Sequence, residues 1–112
     1  MKKFFLTTLV IVSACTTRHN APKDLIAKEQ MVLLMTEIHL LESKIKNLNI
    51  RPKDSANLVY QHYENLLFTD FNITKDQYEK SFNYYIDNLD EFKKVYDAVV
   101  DTLMQKEKLA ED

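Results

Sequence analysis

The sequence contains no glycine, one cysteine, no tryptophan and only two prolines among its 112 residues. Glycine usually makes up about 7% of a protein, and several well-known binding motifs require it. Its absence excludes the GxGxxG dinucleotide turn, the GxxxxGK[ST] phosphate loop, the GxSxG nucleophile elbow and the standard EF-hand loop. Two-residue hairpins built on Asn-Gly or Asp-Gly are excluded as well. The chain therefore lacks the usual signatures of nucleotide-binding, serine-hydrolase and calcium-binding proteins.

Arginine is also scarce, since Arg18 and Arg51 are the only two, and the formal net charge of the chain is -2. Nucleic-acid binding needs clustered positive charge, so we expect no nucleic-acid partner. The charge is unevenly distributed: residues 16–53 carry seven basic and four acidic side chains, and residues 54–112 carry six basic and thirteen acidic ones. One hypothesis is that the basic half faces anionic headgroups and the acidic half faces a basic partner. A random surface imbalance is the alternative.

The first fifteen residues have the pattern of a lipoprotein signal. Lys2 and Lys3 form a positive n-region, and residues 4–12 form an apolar stretch that is too short to span a bilayer. The following Val-Ser-Ala-Cys15 has the form of a lipobox, in which small residues let the signal peptidase reach the backbone before the cysteine. The alternative is an ordinary secretory signal with a chance cysteine. We expect residues 1–14 to be removed and Cys15 to carry lipid.

Lipidation of Cys15 would leave no free thiol in the mature chain, because it is the only cysteine. No disulfide, cysteine-ligated metal or cysteine nucleophile would then be possible. Residues 15–23 would form the lipidated cysteine and a polar tether, and residues 24–112 a helical domain. We expect a lipid-anchored envelope protein carrying palmitate-type chains, at the periplasmic face of the outer membrane. The oligomeric state and the partner are left open.

Apolar residues at helical spacing predict an all-α fold, a small bundle of four helices with no strand. The expected ranges are about 28–47, 54–69, 75–86 and 89–104, followed by a fraying end. Helix 1 is apolar on more than one side, which is typical of a central helix. The positions expected to face inward in the other helices are Ala56, Val59, Tyr60, Tyr63, Leu66, Leu67, Tyr78, Phe82, Tyr85, Ile86, Leu89, Phe92, Tyr96, Val99 and Leu103.

Asparagine and capping residues stand where glycine would normally end or start a helix. Helix 1 is expected to end in the segment Asn47-Leu-Asn-Ile-Arg-Pro52, because Pro52 disfavours helix at Arg51. Helix 2 is expected to end at Asn72, because asparagine tolerates the left-handed conformation. Residues 74–77, Thr-Lys-Asp-Gln, and residues 88–91, Asn-Leu-Asp-Glu, have the form of capping boxes. Each box predicts that a helix begins directly after its first residue.

With these residues in view, the chain resembles a family of small bacterial lipoproteins, the domain of unknown function 4296. The resemblance covers about residues 22–103. Leu89 stands where proline is expected and Ala27 where a capping residue is expected. The resemblance implies a helical envelope lipoprotein, mostly from Bacteroidetes-type bacteria, and no assigned activity. It rests on Pro22, Ile26, His39-Leu40-Leu41-Glu42, Ile73-Thr74-Lys75-Asp76-Gln77-Tyr78, Ser81, Tyr85, Asn88 and Tyr96.

His39 and Glu42 lie three residues apart on helix 1, so their side chains can meet. With His62 or Glu37 nearby they could hold a metal, as helical bundles do. The di-iron pattern, however, needs several glutamates and a repeated Glu-x-x-His that this chain lacks. We therefore expect a structural polar pair, no metal and no cofactor. A small-ligand or metal-binding bundle using His39 and Glu42 is the alternative function.

Two further groups of side chains, a pair of tyrosines and a set of carboxylates, are candidates for function. Tyr84 and Tyr85 cannot both point fully inward, so Tyr84 is a candidate partner contact. Hydrolysis is the least favoured function. The carboxylates that could act as its acid and base are Asp87, Asp90, Glu91, Asp97 and Asp101. These carboxylates are interleaved with lysines as on a solvated face, and glycosidase carboxylates need a cleft. The sequence favours a non-enzymatic interaction or accessory subunit of the cell envelope.

Overall fold

A computed structural model describes residues 21–111 as four α-helices. Helix α1 covers Lys28–Leu48, α2 covers Lys53–Asp70, α3 covers Lys75–Asp87 and α4 covers Leu89–Glu111. The all-α prediction is confirmed, and no strand occurs in the part of the chain that the structure describes. The predicted signal of residues 1–14, the lipidation site Cys15 and most of the tether lie outside the described residues.

Two asparagines in the left-handed region end the first two helices. Asn49 follows α1 with φ 50° and Asn72 follows α2 with φ 55°, so each takes the conformation that glycine usually supplies. The expectation for Asn72 is confirmed. Helix α1 ends at Leu48, within the segment 47–52 that the sequence predicts to end it.

The first predicted capping box forms only in part, and the second does not form. The backbone N–H of Gln77 donates to the Thr74 hydroxyl at 3.1 Å, as predicted, but the Gln77 side chain bonds elsewhere. Asn88 donates its side-chain amide to the Tyr84 carbonyl at 2.7 Å. Glu91 pairs with Lys28 of α1. In each box the fourth residue, Gln77 or Glu91, makes a contact with a distant part of the chain instead of completing the local cap.

Helix α1 is the central helix, because α2 and α4 both pack against it, while α3 packs on α4. Glu91, near the start of α4, pairs with Lys28 at the start of α1. Further along, Lys106 of α4 reaches Glu37 of α1 at 3.0 Å, so the two helices run in the same direction. The buried apolar core is made of Ile26, Met31, Leu34, Met35, Ile38, Phe68, Tyr85, Val95 and Val99.

Several residues lie on a different side of their helix from the one the apolar pattern predicts. Phe68, and not Tyr63 or Leu66, is the buried residue of α2. Val95 is buried in α4, whereas Tyr96 is exposed. Ile86 and Leu89 are exposed as well. The fraying end expected after Met104 is wrong too, since α4 continues to Glu111, through the helix-forming residues Gln, Lys, Glu, Leu and Ala.

Residues 22–27, called here the leading segment, are held against α3 by side chains one helical turn apart. Gln77 donates its side-chain amide to the Asp24 carbonyl at 2.8 Å. The N–H of Ile26 donates to the Ser81 hydroxyl at 3.0 Å, and the Tyr85 hydroxyl donates to the Ile26 carbonyl at 2.6 Å. Both bonds of Ile26 are buried. Ser81 and Tyr85 thus pair both backbone groups of an extended residue that no helix or sheet pairs.

Candidate functional site

The His39 and Glu42 pair predicted from the sequence forms on the surface of α1. The His39 Nδ1 and Glu42 Oε2 atoms are 3.4 Å apart, and the two side chains are 41% and 53% exposed. His62 is exposed on α2, where its ring lies edge-on to Tyr63 at 5.4 Å. Within residues 21–111 no group of three or more metal-ligating side chains comes together. The pair therefore offers two ligands on an open surface and is not enclosed by a pocket.

Tyr84 and Tyr85 divide as the sequence suggested. Tyr85 is buried, with 3% of its surface exposed. Tyr84 is half-buried and packs against the core, with its ring edge-on to Tyr85 at 5.6 Å. Tyr63 and Tyr96 are more exposed, at 48% and 47%. Tyr63 and Tyr96 therefore offer more aromatic surface for a contact than Tyr84 does.

The carboxylates considered for hydrolysis do not converge within the described residues. Asp87, Asp90, Asp97 and Asp101 are exposed on α3 and α4. Glu91 is engaged by Lys28 and, at 3.4 Å, by Lys94. Separate exposed aspartates, and one half-buried glutamate held in ion pairs, are what a solvated helix face carries.

An open groove of about 460 Å³ lies between α1 and α2. Apolar side chains dominate both walls, and several of them are exposed: Leu48 by 65% and Leu66 by 46%. Glu37 in the groove wall pairs with Lys106, so the end of α4 lies at its margin. The groove is lined by Glu37, Leu40, Leu41, Lys44, Ile45 and Leu48 of α1, and by Tyr63, Leu66, Leu67 and Asp70 of α2.

The groove explains why the apolar pattern of the sequence was misleading. Leu48, Tyr63 and Leu66 have core spacing, yet no element of the described chain covers them. Exposed apolar residues that adjoin one another in a concave surface mark interaction or ligand sites more often than scattered ones do. The signal in the sequence was the excess of apolar residues over what four short helices can bury.

A second hollow, on the other flank of α2, contains a polar cluster that the sequence analysis missed. Tyr60 lies close enough to Glu64 for the carboxylate to act on its hydroxyl, and only 13% of the Glu64 side chain is exposed. Lys75, at the start of α3, places its Nζ 4.0 Å from Glu64 Oε1. Tyr78 packs against Phe68 with ring centroids 5.3 Å apart. The only sequence signal was the four-residue spacing of Tyr60 and Glu64 on one helix.

Both tyrosines of this cluster hold their protons more tightly than usual. Burial, with the neighbouring negative charge of Glu64, raises the pKa of Tyr60 well above its ordinary value near 10. Burial, with the charges of Glu64 and Glu42, raises the pKa of Tyr78 to about 12. The two hydroxyls therefore remain neutral donors at every physiological pH.

The raised pKa values predict a loss of stability in alkali. The folded chain binds more protons than the unfolded chain between about pH 10 and about pH 12, the range set by Tyr78, so the free energy of unfolding falls as the pH rises through it. Tyr78→Phe and Tyr60→Phe should each make this fall shallower, because each removes one of the responsible groups. Urea unfolding at a series of alkaline pH values measures the slope, and equal slopes in all three proteins would contradict the assignment.

Comparison with known proteins identifies the domain. None of the helices within residues 21–111 combines the length and the apolar character needed to cross a bilayer. No curated protein and no solved structure matches the chain. The model of one family, a domain of unknown function (DUF4296), matches residues 22–109. That match begins at the leading segment and takes in all four helices, and the chain therefore belongs to the DUF4296 family.

Proposed function

We propose that this chain is a lipid-anchored protein of a bacterial cell envelope that acts as a non-enzymatic interaction or accessory subunit. The anchor is the lipid on Cys15, and the contact surface is the groove between α1 and α2. The observation that carries the proposal is the exposed apolar lining of that groove, in which Leu48, Tyr63 and Leu66 have no covering element among the described residues.

The shape of the groove favours a helix as its occupant. Its α1 wall runs from Glu37 to Leu48, a length of about 17 Å at 1.5 Å per residue. Its α2 wall offers Tyr63, Leu66 and Asp70 at spacings of three and four residues. Two helical walls with this spacing take the apolar stripe of a third helix, as in other helix-in-groove complexes. The proposed partner is therefore an envelope protein with an exposed amphipathic helix about three turns long.

Exchanging one groove leucine for glutamate tests the contact surface. Leu66→Glu should reduce partner affinity more than tenfold, because it places a charge in the apolar lining. It should change the free energy of unfolding by about 1 kcal/mol or less, since Leu66 is 46% exposed. Leu58→Glu is the matched control, as Leu58 is on the same helix, 68% exposed and outside the groove.

The partner is first identified by photocrosslinking from position 66 in intact cells and then purified for titration against the variants. A partner that binds Leu66→Glu and Leu58→Glu equally well would exclude the groove as the contact surface. A crosslink between two copies of this chain would contradict the proposed occupant, because the groove would then be a homodimer interface.

The alternative, a small-ligand or metal-binding bundle using His39 and Glu42, has less to support it. Both side chains are about half exposed, and the hollow that Glu42 lines, among the described residues, does not include His39. A metal site in a protein usually has three or four protein ligands, and this pair supplies two exposed ones. Of the two candidates, the groove is the larger and more apolar feature.

A further inference from the structure

The hollow between α2 and α3 combines aromatic walls with a carboxylate. It has a volume of about 240 Å³. Tyr60 and Phe68 of α2 and Tyr78 of α3 supply the rings, and Glu64 supplies the carboxylate. This hollow, called here the aromatic pocket, shares no lining residue with the groove between α1 and α2. Its role is therefore independent of the proposed contact surface.

The Glu64 carboxylate is largely removed from water and only loosely neutralised. Its side chain is 13% exposed, and Lys75 Nζ stands 4.0 Å from its Oε1 atom. A buried carboxylate is costly unless a close cation and hydrogen bonds compensate it. The Tyr60 hydroxyl is the neighbouring polar group on α2, and it carries no positive charge. A second, closer positive group would stabilise this charge further.

Lys75 reaches this carboxylate only with the end of a mostly solvated side chain. Its side chain is 58% exposed, and it is the first residue of α3, where a positive charge opposes the helix dipole. A lysine held in this way is easily displaced, because it gives up one long ion pair and gains hydration. The Lys75 ammonium therefore stands near Glu64, where a cation from outside the chain could replace it.

The surrounding charge selects a cation over an anion. Glu79 also lines the aromatic pocket, and the charge of Glu42 acts on both Tyr60 and Tyr78. The pocket lining thus contains two carboxylates, Glu64 and Glu79, against a single lysine. The faces of aromatic rings attract cations as well, most strongly where water is excluded.

We propose that the aromatic pocket binds an organic cation, an ammonium or guanidinium group, between the Tyr60 and Tyr78 rings and against the Glu64 carboxylate. The cation displaces the Lys75 ammonium, pairs with Glu64 and contacts the ring faces. The amide oxygens of Asn57 and Gln61, which also line the pocket, accept hydrogen bonds from its N–H groups. The group belongs either to a free amine or to a lysine or arginine side chain of a peptide.

The test is a titration of the full chain, purified in detergent, followed by the aromatic NMR signals of Tyr60, Phe68 and Tyr78. Tetramethylammonium is the first probe; it has no N–H group and therefore tests the contacts of the charge with the rings and with Glu64 alone. Its uncharged match in shape is tert-butyl alcohol. The ionic strength is held constant with sodium chloride. Saturable shifts of these three residues with tetramethylammonium, and none with the alcohol, are expected. Shifts that do not saturate, or equal binding of the alcohol, would overturn the proposal.

Two matched pairs of variants assign the binding to the pocket. Glu64→Gln should weaken tetramethylammonium binding about tenfold, whereas Glu107→Gln makes the same charge change at an exposed site of α4 and should leave it unchanged. Tyr60→Leu should weaken binding and Tyr60→Phe should not, because the ring is kept. Equal losses of tetramethylammonium affinity in the two members of either pair would overturn the proposal. If Glu64→Gln does not fold, the two Tyr60 variants decide the test.

Two further measurements examine the role of Lys75 and the source of the cation. Lys75→Gln should strengthen binding several-fold, since it removes the internal competitor, and weaker binding in this variant would overturn the displacement step. Methylamine and a lysine-rich peptide are then compared. Tighter binding of the peptide assigns the cation to a basic protein, and equal binding assigns it to a free amine; both outcomes require Glu64.

Discussion

Replacement of Cys15 by alanine is expected to abolish fatty-acid incorporation into the chain. Under the proposed anchorage the sulfur of Cys15 is the attachment point, and no other cysteine is present to replace it. Cells grown with a clickable palmitate analogue should label the natural chain and leave Cys15→Ala unlabelled. Thr17→Ala, two residues further on, should remain fully labelled.

A second experiment separates membrane anchoring by the lipid from secretion by the signal peptide. A chain in which a cysteine-free cleavable secretory signal is joined directly to Thr16 should leave the membrane pellet almost completely. Each buried CH₂ of an acyl chain contributes about 0.8 kcal/mol to membrane binding, so the loss of two or more chains removes most of the affinity. Labelled Cys15→Ala, or a pelleting Thr16 fusion in high salt, would contradict lipidation at this residue.

Removing the hydroxyls that hold Ile26 should destabilise the domain strongly. In Ser81→Ala the buried N–H of Ile26 loses its acceptor, and in Tyr85→Phe the Ile26 carbonyl loses its donor. A buried polar group left without a partner costs about 1–3 kcal/mol. The double variant should therefore lose about 2–5 kcal/mol, a large part of the roughly 5–15 kcal/mol that keeps a small domain folded.

Urea unfolding of the four proteins of this double-mutant cycle measures each loss and their coupling. The effects should not be additive, because both hydroxyls bind the same residue and the first loss frees Ile26 to reach water. Tyr63→Phe and Ser43→Ala are the controls, as both residues are exposed, and each should change stability by about 0.5 kcal/mol or less. Losses from Ser81→Ala and Tyr85→Phe no larger than those of the controls would show that the leading segment is not held by these bonds.

Local patterns in the sequence predicted the number of helices, their order and most of their ends. Thr74 and Asn72 act through their own backbone and immediate neighbours, so a few residues of sequence were enough to identify them. The central position of α1 also followed, because a helix with apolar residues on several sides needs several neighbours.

Contacts between distant residues could not be predicted in this way. Gln77 has the spacing of a capping box, but Asp24 lies 53 residues away and competes for the same amide. Val95 and Tyr96 are adjacent and both apolar, and only the placement of α1 determines that Val95 is buried. The aromatic pocket depends on α2 and α3 meeting near Glu64, for which the sequence contains only the spacing of Tyr60 and Glu64.

The hydrogen bonds between α3 and the leading segment also determine how the domain responds to mechanical tension. In a protein held to a membrane by its N-terminus, any drag on the domain pulls on the chain just before Pro22. The pull must first detach Asp24 and Ile26 from Gln77, Ser81 and Tyr85 before it can unwind the first turn of α1. Under the proposed anchorage at Cys15, α3 would take up this tension first and keep it from the central helix and from the groove.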